Sequence, residues 1–198
     1  MPETPDRPHR TGLFTIDLII ALCAIIVSAA SLWVALRADQ TQEALLKSTV
    51  WPYLEYDTSD ATQNGGKRLA FDIRNAGVGP AIVRSFAVAY NGQYYPTLRE
   101  LMAACCKVYP SKRSRHGIFA STVHDRVIMA HEDVVFIQVL PGLSDPQSYA
   151  AIARERFHIS ASICYCSVLG DCWTFDSATD DQPVPVHKCR PAKVPYTT

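Results

Sequence analysis

Residues 157–176 read FHISASICYCSVLGDCWTFD, and this stretch decides the fold class. Apolar side chains alternate with polar or small ones from Phe157 to Tyr165, which is the period of a β-strand with one buried face. A turn, Val-Leu-Gly, follows at 168–170, and a second strand is predicted over 172–176. The pattern therefore predicts an antiparallel hairpin inside a mainly β domain.

Further short strands and turns continue this pattern upstream of the hairpin. The other candidate strands are 52–56, 69–73, 81–90, 126–130 and 135–139. Asn91-Gly92 predicts a tight hairpin turn of type I′, because that turn requires positive φ at both central residues. About seven short strands, interrupted by short helices at 97–105 and 146–156, predict an immunoglobulin-like antiparallel β-sandwich.

The N-terminal part holds one uncharged apolar run of 19 residues, from Leu18 to Leu36. A bilayer core of about 30 Å requires about 20 apolar residues in a helix, so the run predicts a transmembrane helix in contact with lipid. Trp33 lies near one end, where an indole suits the membrane interface. The alternative is a signal peptide cleaved near Val27-Ser28-Ala29, but the apolar run continues well past those residues.

The chain divides into five predicted segments. They are a disordered tail (1–11), a transmembrane helix (12–36), a juxtamembrane helical stalk (37–50), a β-sandwich domain (51–190) and a flexible C-terminal tail (191–198). Trp51-Pro52 ends the stalk, because the residue before proline avoids the α region. The small residues of Ser28–Ser31 would let two such helices approach closely, so self-association through the transmembrane helix is a second expected interaction.

One disulfide is predicted from the geometry of the hairpin. If Tyr165 and Trp173 share the core face, Cys166 and Cys172 lie on the opposite face. A three-residue loop at 168–170 then places Cys166 directly opposite Cys172. Cβ atoms in such cross-strand pairs are about 4.5–5.5 Å apart, close to the bridging distance. We therefore predict a bridge between Cys166 and Cys172.

Alternatives for the cysteines remain open, because six of the seven lie outside the apolar run. A zinc site is one alternative, although Cys-x-Cys on a strand is not the usual zinc spacing. Its ligands would be Cys164, Cys166, Cys172 and Cys189. A redox-active thiol at Cys105 or Cys106, beside basic residues, is another. The third alternative is that the cysteines are reduced thiols with a purely structural role.

The charges of the chain are balanced, with 19 Lys+Arg and 19 Asp+Glu. This balance provides no electrostatic basis for binding nucleic acid, so we expect no nucleic-acid partner. The one basic cluster consists of Lys107, Lys112, Arg113 and Arg115. An exposed loop is its simplest interpretation. The functional interpretation is contact with an anionic surface, either lipid headgroups or a phosphate-bearing ligand.

Motifs for catalysis are absent from the sequence. The chain has no Gly-x-Ser-x-Gly elbow and no His-Glu-x-x-His helix, and its six histidines show no metal-ligand spacing. We therefore expect a protein that is not an enzyme and uses no cofactor. We assign no catalytic, cofactor-binding or metal-ligating residue.

Three motifs carry a resemblance to a known group of proteins. They are WPYLE at 51–55, IRNAGVGPAI at 73–82 and CYCSVLGDCW at 164–173. Together with the N-terminal apolar run, they resemble uncharacterised bacterial single-pass membrane proteins that have a C-terminal β-sandwich-like domain. The resemblance covers residues from about 13 to about 176. It implies a membrane-anchored β domain and offers no catalytic residues to carry over.

The expected function is a non-enzymatic, membrane-anchored β-sandwich module that binds a protein, an envelope component or a small ligand. One alternative is a membrane signalling or defence effector, whose β domain senses a ligand and whose helix oligomerises. Another is a thiol-dependent redox enzyme. The expected location is the bacterial inner membrane. Two basic residues flank the apolar run on each side and leave its orientation open, whereas the cysteines favour an extracytoplasmic, oxidising compartment.

Overall fold

The computed structural model describes residues 11–61, 66–108 and 117–197. The chain forms two compact units, residues 1–46 and 47–198. Within its described residues, the first unit consists of most of one long helix. The second contains the β-strands and two shorter helices.

Helix α1 runs from Thr11 to Thr49 and is 39 residues long. Every described side chain between Ile16 and Thr49 is exposed, although much of this stretch is strongly apolar. The helix is long and apolar enough to cross a membrane. It continues without a break through residues 36–37, where the sequence predicts that the transmembrane helix gives way to the stalk, and it ends just before Trp51-Pro52.

The second unit contains ten strands and two α-helices within its described residues. The strands are β1 (Leu54–Ala61), β2 (Lys67–Asn75), β3 (Ala81–Tyr90), β4 (Gln93–Tyr95), β5 (Ile118–Ala120), β6 (Val127–Ile128), β7 (Asp133–Val139), β8 (Ile159–Cys166), β9 (Cys172–Asp176) and β10 (Val184–Val186). The helices are α2 (Leu98–Cys106) and α3 (Pro146–Glu155), and a 3-10 turn at Arg156–His158 follows α3.

These strands form two antiparallel sheets with a shared apolar core. The first sheet has the order β1-β2-β7-β5, and the second has the order β10-β9-β8-β3-β4, with β6 also paired to β3. Phe86 of the second sheet lies edge-on to Phe136 of the first, with 5.1 Å between the ring centroids. The predicted fold class, a mainly β domain after a long apolar helix, is therefore confirmed. The immunoglobulin-like topology stays a prediction.

Two β-bulges set which side chains face the core. In β3, Val83 pairs with Tyr165 and Ser85 with Cys164, so Arg84 is an extra residue. The inward parity therefore shifts at Arg84, and Phe86 is fully buried. An equivalent extra residue in β7, Phe136, lets neighbouring side chains of that strand be buried together.

Asn75 holds the start of β1 against the loop that follows β2. Its fully buried side chain accepts hydrogen bonds at Oδ1 from the backbone N–H groups of Tyr53 (3.2 Å) and Gly77 (3.0 Å). Its Nδ2 donates to the carbonyls of Gly79 (2.8 Å) and Ile128 (3.1 Å). The WPYLE and Asn-x-Gly-x-Gly-Pro-Ala motifs are thus parts of one structural junction.

The two glycines of this junction are required by close approach of the backbone. A Cβ atom on Gly79 would overlap the backbone of Val50, and one on Gly77 would overlap the backbone of Trp51–Tyr53. The backbone N–H of Val78 also donates to the Trp51 carbonyl at 3.0 Å. The glycine-rich loop therefore connects strands, as its lack of a following helix predicts.

Two segments differ from the sequence-based expectation. Phe157 belongs to the 3-10 turn and is 72% exposed, so strand β8 begins only at Ile159. The C-terminal residues expected to form a flexible tail instead pack on the domain, because Tyr196 buries its ring 5.9 Å from that of Phe86. The backbone N–H of Tyr196 also donates to the Phe86 carbonyl at 3.1 Å. Burial of this aromatic ring offsets the entropy lost by ordering the chain.

Candidate functional site

The outer face of the second sheet, which points away from the core, carries the candidate site. Tyr165 of β8 points inward and stacks on Trp173 of β9, with 5.9 Å between their ring centroids. Since side chains alternate along a strand, Cys164 and Cys166 lie on the outer face. A C-terminal segment, residues 184–194, runs beside this face and contributes Cys189.

The hairpin between β8 and β9 brings the two predicted cysteines together. Cys166 and Cys172 are paired residues of the two strands, and their Sγ atoms are 2.08 Å apart. The Ser167 N–H donates to the Asp171 carbonyl at 2.8 Å, which closes the loop. Gly170 adopts φ +90°, a conformation that favours glycine at the end of such a loop.

A second cysteine pair ties the C-terminal segment to the sheet. The Sγ atoms of Cys164 and Cys189 are 2.10 Å apart, and their Cα atoms are 5.6 Å apart. The sequence names Cys189 as a possible zinc ligand but assigns it no disulfide partner, because its proline-rich surroundings show no strand period that would fix its register. One signal in the sequence could have identified this pair. Cys164 and Cys166 are two residues apart on a strand, so both lie on the outer face, and Cys166 pairs with Cys172, which leaves Cys164 to pair with another cysteine.

The two pairs form one cysteine cluster, which consists of Cys164, Cys166, Cys172 and Cys189. Cys166 Sγ and Cys189 Sγ are 3.8 Å apart although they belong to different pairs. The sulfurs of Cys166, Cys172 and Cys189 all lie within 4.8 Å of one another. Three of the four residues are less than 10% exposed, and Cys189 is half-buried.

Two adjoining cavities border the cysteine cluster, and we call them together the basic groove. One has a volume of about 930 Å³ and is lined by Cys164, Thr174 and residues 185–191. The other, of about 350 Å³, is lined mainly by outer-face residues of β3, β8 and β9 and by residues 190 and 192–194. Both share Cys164, Thr174 and Arg190.

The basic groove has cations and hydroxyl groups along its walls. The exposed cations are Lys188, Arg190 and Lys193, and the hydroxyl-bearing residues are Ser85, Tyr94, Ser162 and Thr174. Among the residues that the structure describes, no carboxylate lines either cavity. The Tyr94 hydroxyl donates a hydrogen bond to the Asp176 carboxylate at 3.0 Å. The groove is therefore suited to an anion.

A third cavity lies at the turn end of the same hairpin. It has a volume of about 510 Å³ and shares residues 185–187 with the basic groove. Its walls include the indole rings of Trp51 and Trp173 and the bridged Cys172. This cavity offers an apolar surface next to the basic one.

The predicted basic cluster falls mostly outside the described residues. Lys112, Arg113 and Arg115 lie in the range 109–116, which the structure does not describe. Lys107 is exposed and ends α2 in a left-handed conformation, with φ 55°. Just before it, the Sγ atoms of Cys105 and Cys106 are 1.99 Å apart.

The residues that mark the predicted anchor lie on α1. Leu18, Trp33 and Leu36 are 70%, 64% and 61% exposed. The guanidinium carbon of Arg37 lies 5.7 Å from the centre of the Trp33 ring, a cation–π arrangement. This aromatic and cationic pair marks the end of the apolar run, as is typical of an interface region.

A titratable pair lies on the first sheet, away from the basic groove. Asp57 of β1 is directly opposite Asp72 of β2. Burial, followed by the negative charges of Asp57 and Asp133, raises the pKa of Asp72 to about 6, while Arg68 opposes the shift. Asp72 therefore holds a proton more readily in the folded domain than in the unfolded chain.

No protein-family model, no curated protein and no solved structure matches this chain. We therefore infer the function from the geometry of the described residues.

Proposed function

We propose that the protein is a single-pass, membrane-anchored module whose β domain binds an anionic ligand in the basic groove. The proposal is a binding function without catalysis. It places α1 in a bacterial inner membrane and the β domain on the extracytoplasmic side. The ligand is a carboxylate- or phosphate-bearing small molecule or the same group on an envelope component.

The unburied apolar surface of α1 supports the proposed anchor. Exposed apolar patches on this scale are unfavourable in water, and a helix of about 20 apolar residues matches a bilayer core of about 30 Å. Leu18 and Leu36 delimit the run that would lie in the lipid. The Trp33–Arg37 pair, 5.7 Å apart, suits one interface.

The cysteines support the proposed side of the membrane. Disulfides persist in oxidising compartments and are rare where glutathione and thioredoxin keep thiols reduced. Three cysteine pairs in the β domain lie at bonding distance, and two of them staple its C-terminal segment and its β8–β9 hairpin. An extracytoplasmic domain is the arrangement in which these staples would last.

The observation that carries the binding proposal is the basic groove itself. The volumes of its two cavities, about 930 and 350 Å³, both lie within the range of roughly 300–1,000 Å³ that is typical of small-molecule sites. Lys188, Arg190 and Lys193 supply positive charge, and the Ser85 hydroxyl on the sheet supplies a donor for an anion's oxygens. The Cys164–Cys189 pair holds the cations over the sheet, which lowers the entropy cost of binding.

Anion titration tests this proposal on the full chain in nanodiscs of zwitterionic lipid. The probes are citrate and inorganic phosphate, and calorimetry measures the affinity. We expect wild-type protein to bind at least one probe, and Lys188→Glu/Arg190→Glu to weaken that binding at least about tenfold, because a lost charge-assisted hydrogen bond is worth about 1.5–3 kcal/mol.

The matched control is Lys67→Glu/Arg99→Glu, which changes the net charge equally at exposed positions outside the groove. We expect it to retain the wild-type affinity within about threefold, since distant surface charges are screened. Absence of binding for both probes, or an equal loss in the control variant, would overturn the proposal.

A further inference from the structure

The cysteine cluster has a second capability that is independent of the basic groove's ligand. We propose that, once both of its disulfides are reduced, the cysteine cluster binds one Zn²⁺ ion through its four thiolates. The site joins strands β8 and β9 to the C-terminal segment. The same residues would thus cross-link the domain by sulfur–sulfur bonds when oxidised and by zinc when reduced.

The first support is the spacing of the sulfurs. A tetrahedral zinc site with Zn–S bonds of about 2.3 Å holds its sulfurs about 3.8 Å apart. Cys166 Sγ and Cys189 Sγ, which are not bonded to each other, are already 3.8 Å apart. Cys172 completes a triangle of sulfurs within 4.8 Å, and Cys164 is adjacent to Cys189.

The same spacing is less suited to thiol–disulfide exchange within the cluster. In an exchange step the attacking sulfur lies in line with the bond that breaks. For Cys189 attacking the Cys166–Cys172 bond, which is about 2.05 Å long in any disulfide, the outer sulfurs would be about 5.9 Å apart. The Sγ atoms of Cys189 and Cys172 instead lie within 4.8 Å of each other, so the three sulfurs are not in line. The cluster is compact, as a chelating site requires.

The second support is electrostatic. A Zn²⁺ ion with four thiolates carries a net charge of about −2, which is costly to place near carboxylates. Lys188 and Arg190 flank Cys189 in the chain, and the carboxylate beside Cys172, that of Asp171, lies 4.0 Å from the Lys47 ammonium, which offsets its charge. Nearby cations also favour the thiolate form that ligates a metal.

The chemistry balances with an external dithiol as reductant. Each of the two disulfides gains two electrons and two protons and becomes two thiols, while each dithiol consumed becomes a disulfide. Zinc then displaces the four thiol protons, which pass to the buffer. No other co-reactant is required.

Cobalt titration tests the site, because tetrahedral Co²⁺–thiolate has characteristic visible absorption and Zn²⁺ displaces it. The protein is the full chain with Cys23→Ser in detergent micelles, reduced and then freed of reductant under anaerobic conditions. We expect binding of one Co²⁺ per chain with tetrathiolate absorption, bleached by Zn²⁺. Oxidised protein should show no such absorption.

Two variants separate this site from other thiols. Cys189→Ser should weaken Co²⁺ binding by at least about 10- to 100-fold, a range already reached when only outer-shell partners of a metal are removed. The matched control, Cys105→Ser/Cys106→Ser, should bind Co²⁺ like its parent. Equal loss in the control, or reduced protein that stays folded and binds no Co²⁺, would overturn the proposal.

Folding provides a second readout if the reduced domain is unstable. Metal binding to such a site is coupled to folding, so equimolar Zn²⁺ should restore the near-ultraviolet circular dichroism of the reduced protein. Reduced protein that unfolds and is not rescued by Zn²⁺ would also contradict a zinc site.

Discussion

Substitution of Asn75 by alanine should strongly destabilise the β domain. The side chain is fully buried and makes four hydrogen bonds, two accepted at Oδ1 and two donated by Nδ2. It joins Tyr53, at the start of the β domain, to the Gly77–Gly79 loop and to β6. No other described side chain bonds these four backbone groups, so alanine would remove all four hydrogen bonds.

The magnitude follows from these four bonds. A hydrogen bond contributes about 1 ± 0.5 kcal/mol net, and a buried group left without a partner costs about 1–3 kcal/mol. Some of the backbone groups would find water, so we expect a loss of about 3–5 kcal/mol. This is a large share of the roughly 5–15 kcal/mol that stabilises a typical domain. For a domain of this size it corresponds to a fall in Tm of about 6–20 °C.

Thermal unfolding of the full chain in detergent micelles measures this effect. Near-ultraviolet circular dichroism is the appropriate signal, because α1 contributes most to the far-ultraviolet signal and would stay helical in the micelle. Glu55→Ala, at an exposed position of β1, is the control and should change stability by less than about 0.5 kcal/mol. A fall in Tm for Asn75→Ala no larger than for this control would refute the assigned role of Asn75.

Three further predictions concern the cysteine cluster, the first sheet and α1. Cys164→Ser/Cys189→Ser should lower the free energy of unfolding by about 2–4 kcal/mol, because the bridge closes a chain separation of 25 residues. The variant should also expose residues 187–194 to limited proteolysis. An unchanged Tm and an unchanged cleavage pattern would argue against this staple. Asp72→Asn should raise Tm at pH 7.5 but have little effect on Tm at pH 4. The raised pKa of Asp72 means that wild-type stability falls as pH rises from about 4 to about 6. An equal change in Tm at both pH values would contradict this prediction. Ser28→Leu/Ser31→Leu should leave citrate and phosphate affinity unchanged, and a loss of binding would instead support the effector that oligomerises through its helix.

Local patterns in the sequence were sufficient to predict the fold class and the main hairpins. Asn91 and Gly92 both adopt positive φ, at 50° and 79°, as the type I′ prediction requires. The pairing of Cys166 with Cys172 could be worked out because parity and loop length fix the register of a short hairpin. Such features depend on residues that are close in the chain.

Features that depend on distant contacts could not be predicted in the same way. The bulge at Arg84 changes the parity of β3, and nothing in the alternation of that strand marks it. The sequence from residue 184 to residue 197 has no strand period, so it predicts neither the burial of Tyr196 nor the partner of Cys189. Both depend on which surface the segment meets after the sheets have formed.

The cations of the basic groove were missed for the same reason. Lys188, Arg190 and Lys193 are spaced among prolines and resemble an ordinary solvated tail. They become a candidate site only when the Cys164–Cys189 pair brings them beside the hydroxyl groups of the sheet. The basic cluster at residues 107–115 is denser in sequence, so the sequence predicts a contact with an anionic surface there instead.

In the proposed arrangement, the Cys164–Cys189 bridge holds a basic groove over the second sheet of an extracytoplasmic domain. The most direct test is mass spectrometry of peptides from protein isolated from intact bacterial membranes, with free thiols alkylated before lysis and no reductant added. We predict that Cys164 is linked to Cys189 and Cys166 to Cys172, with none of the four alkylated. Recovery of all four as alkylated thiols would contradict both the staple and the proposed side of the membrane.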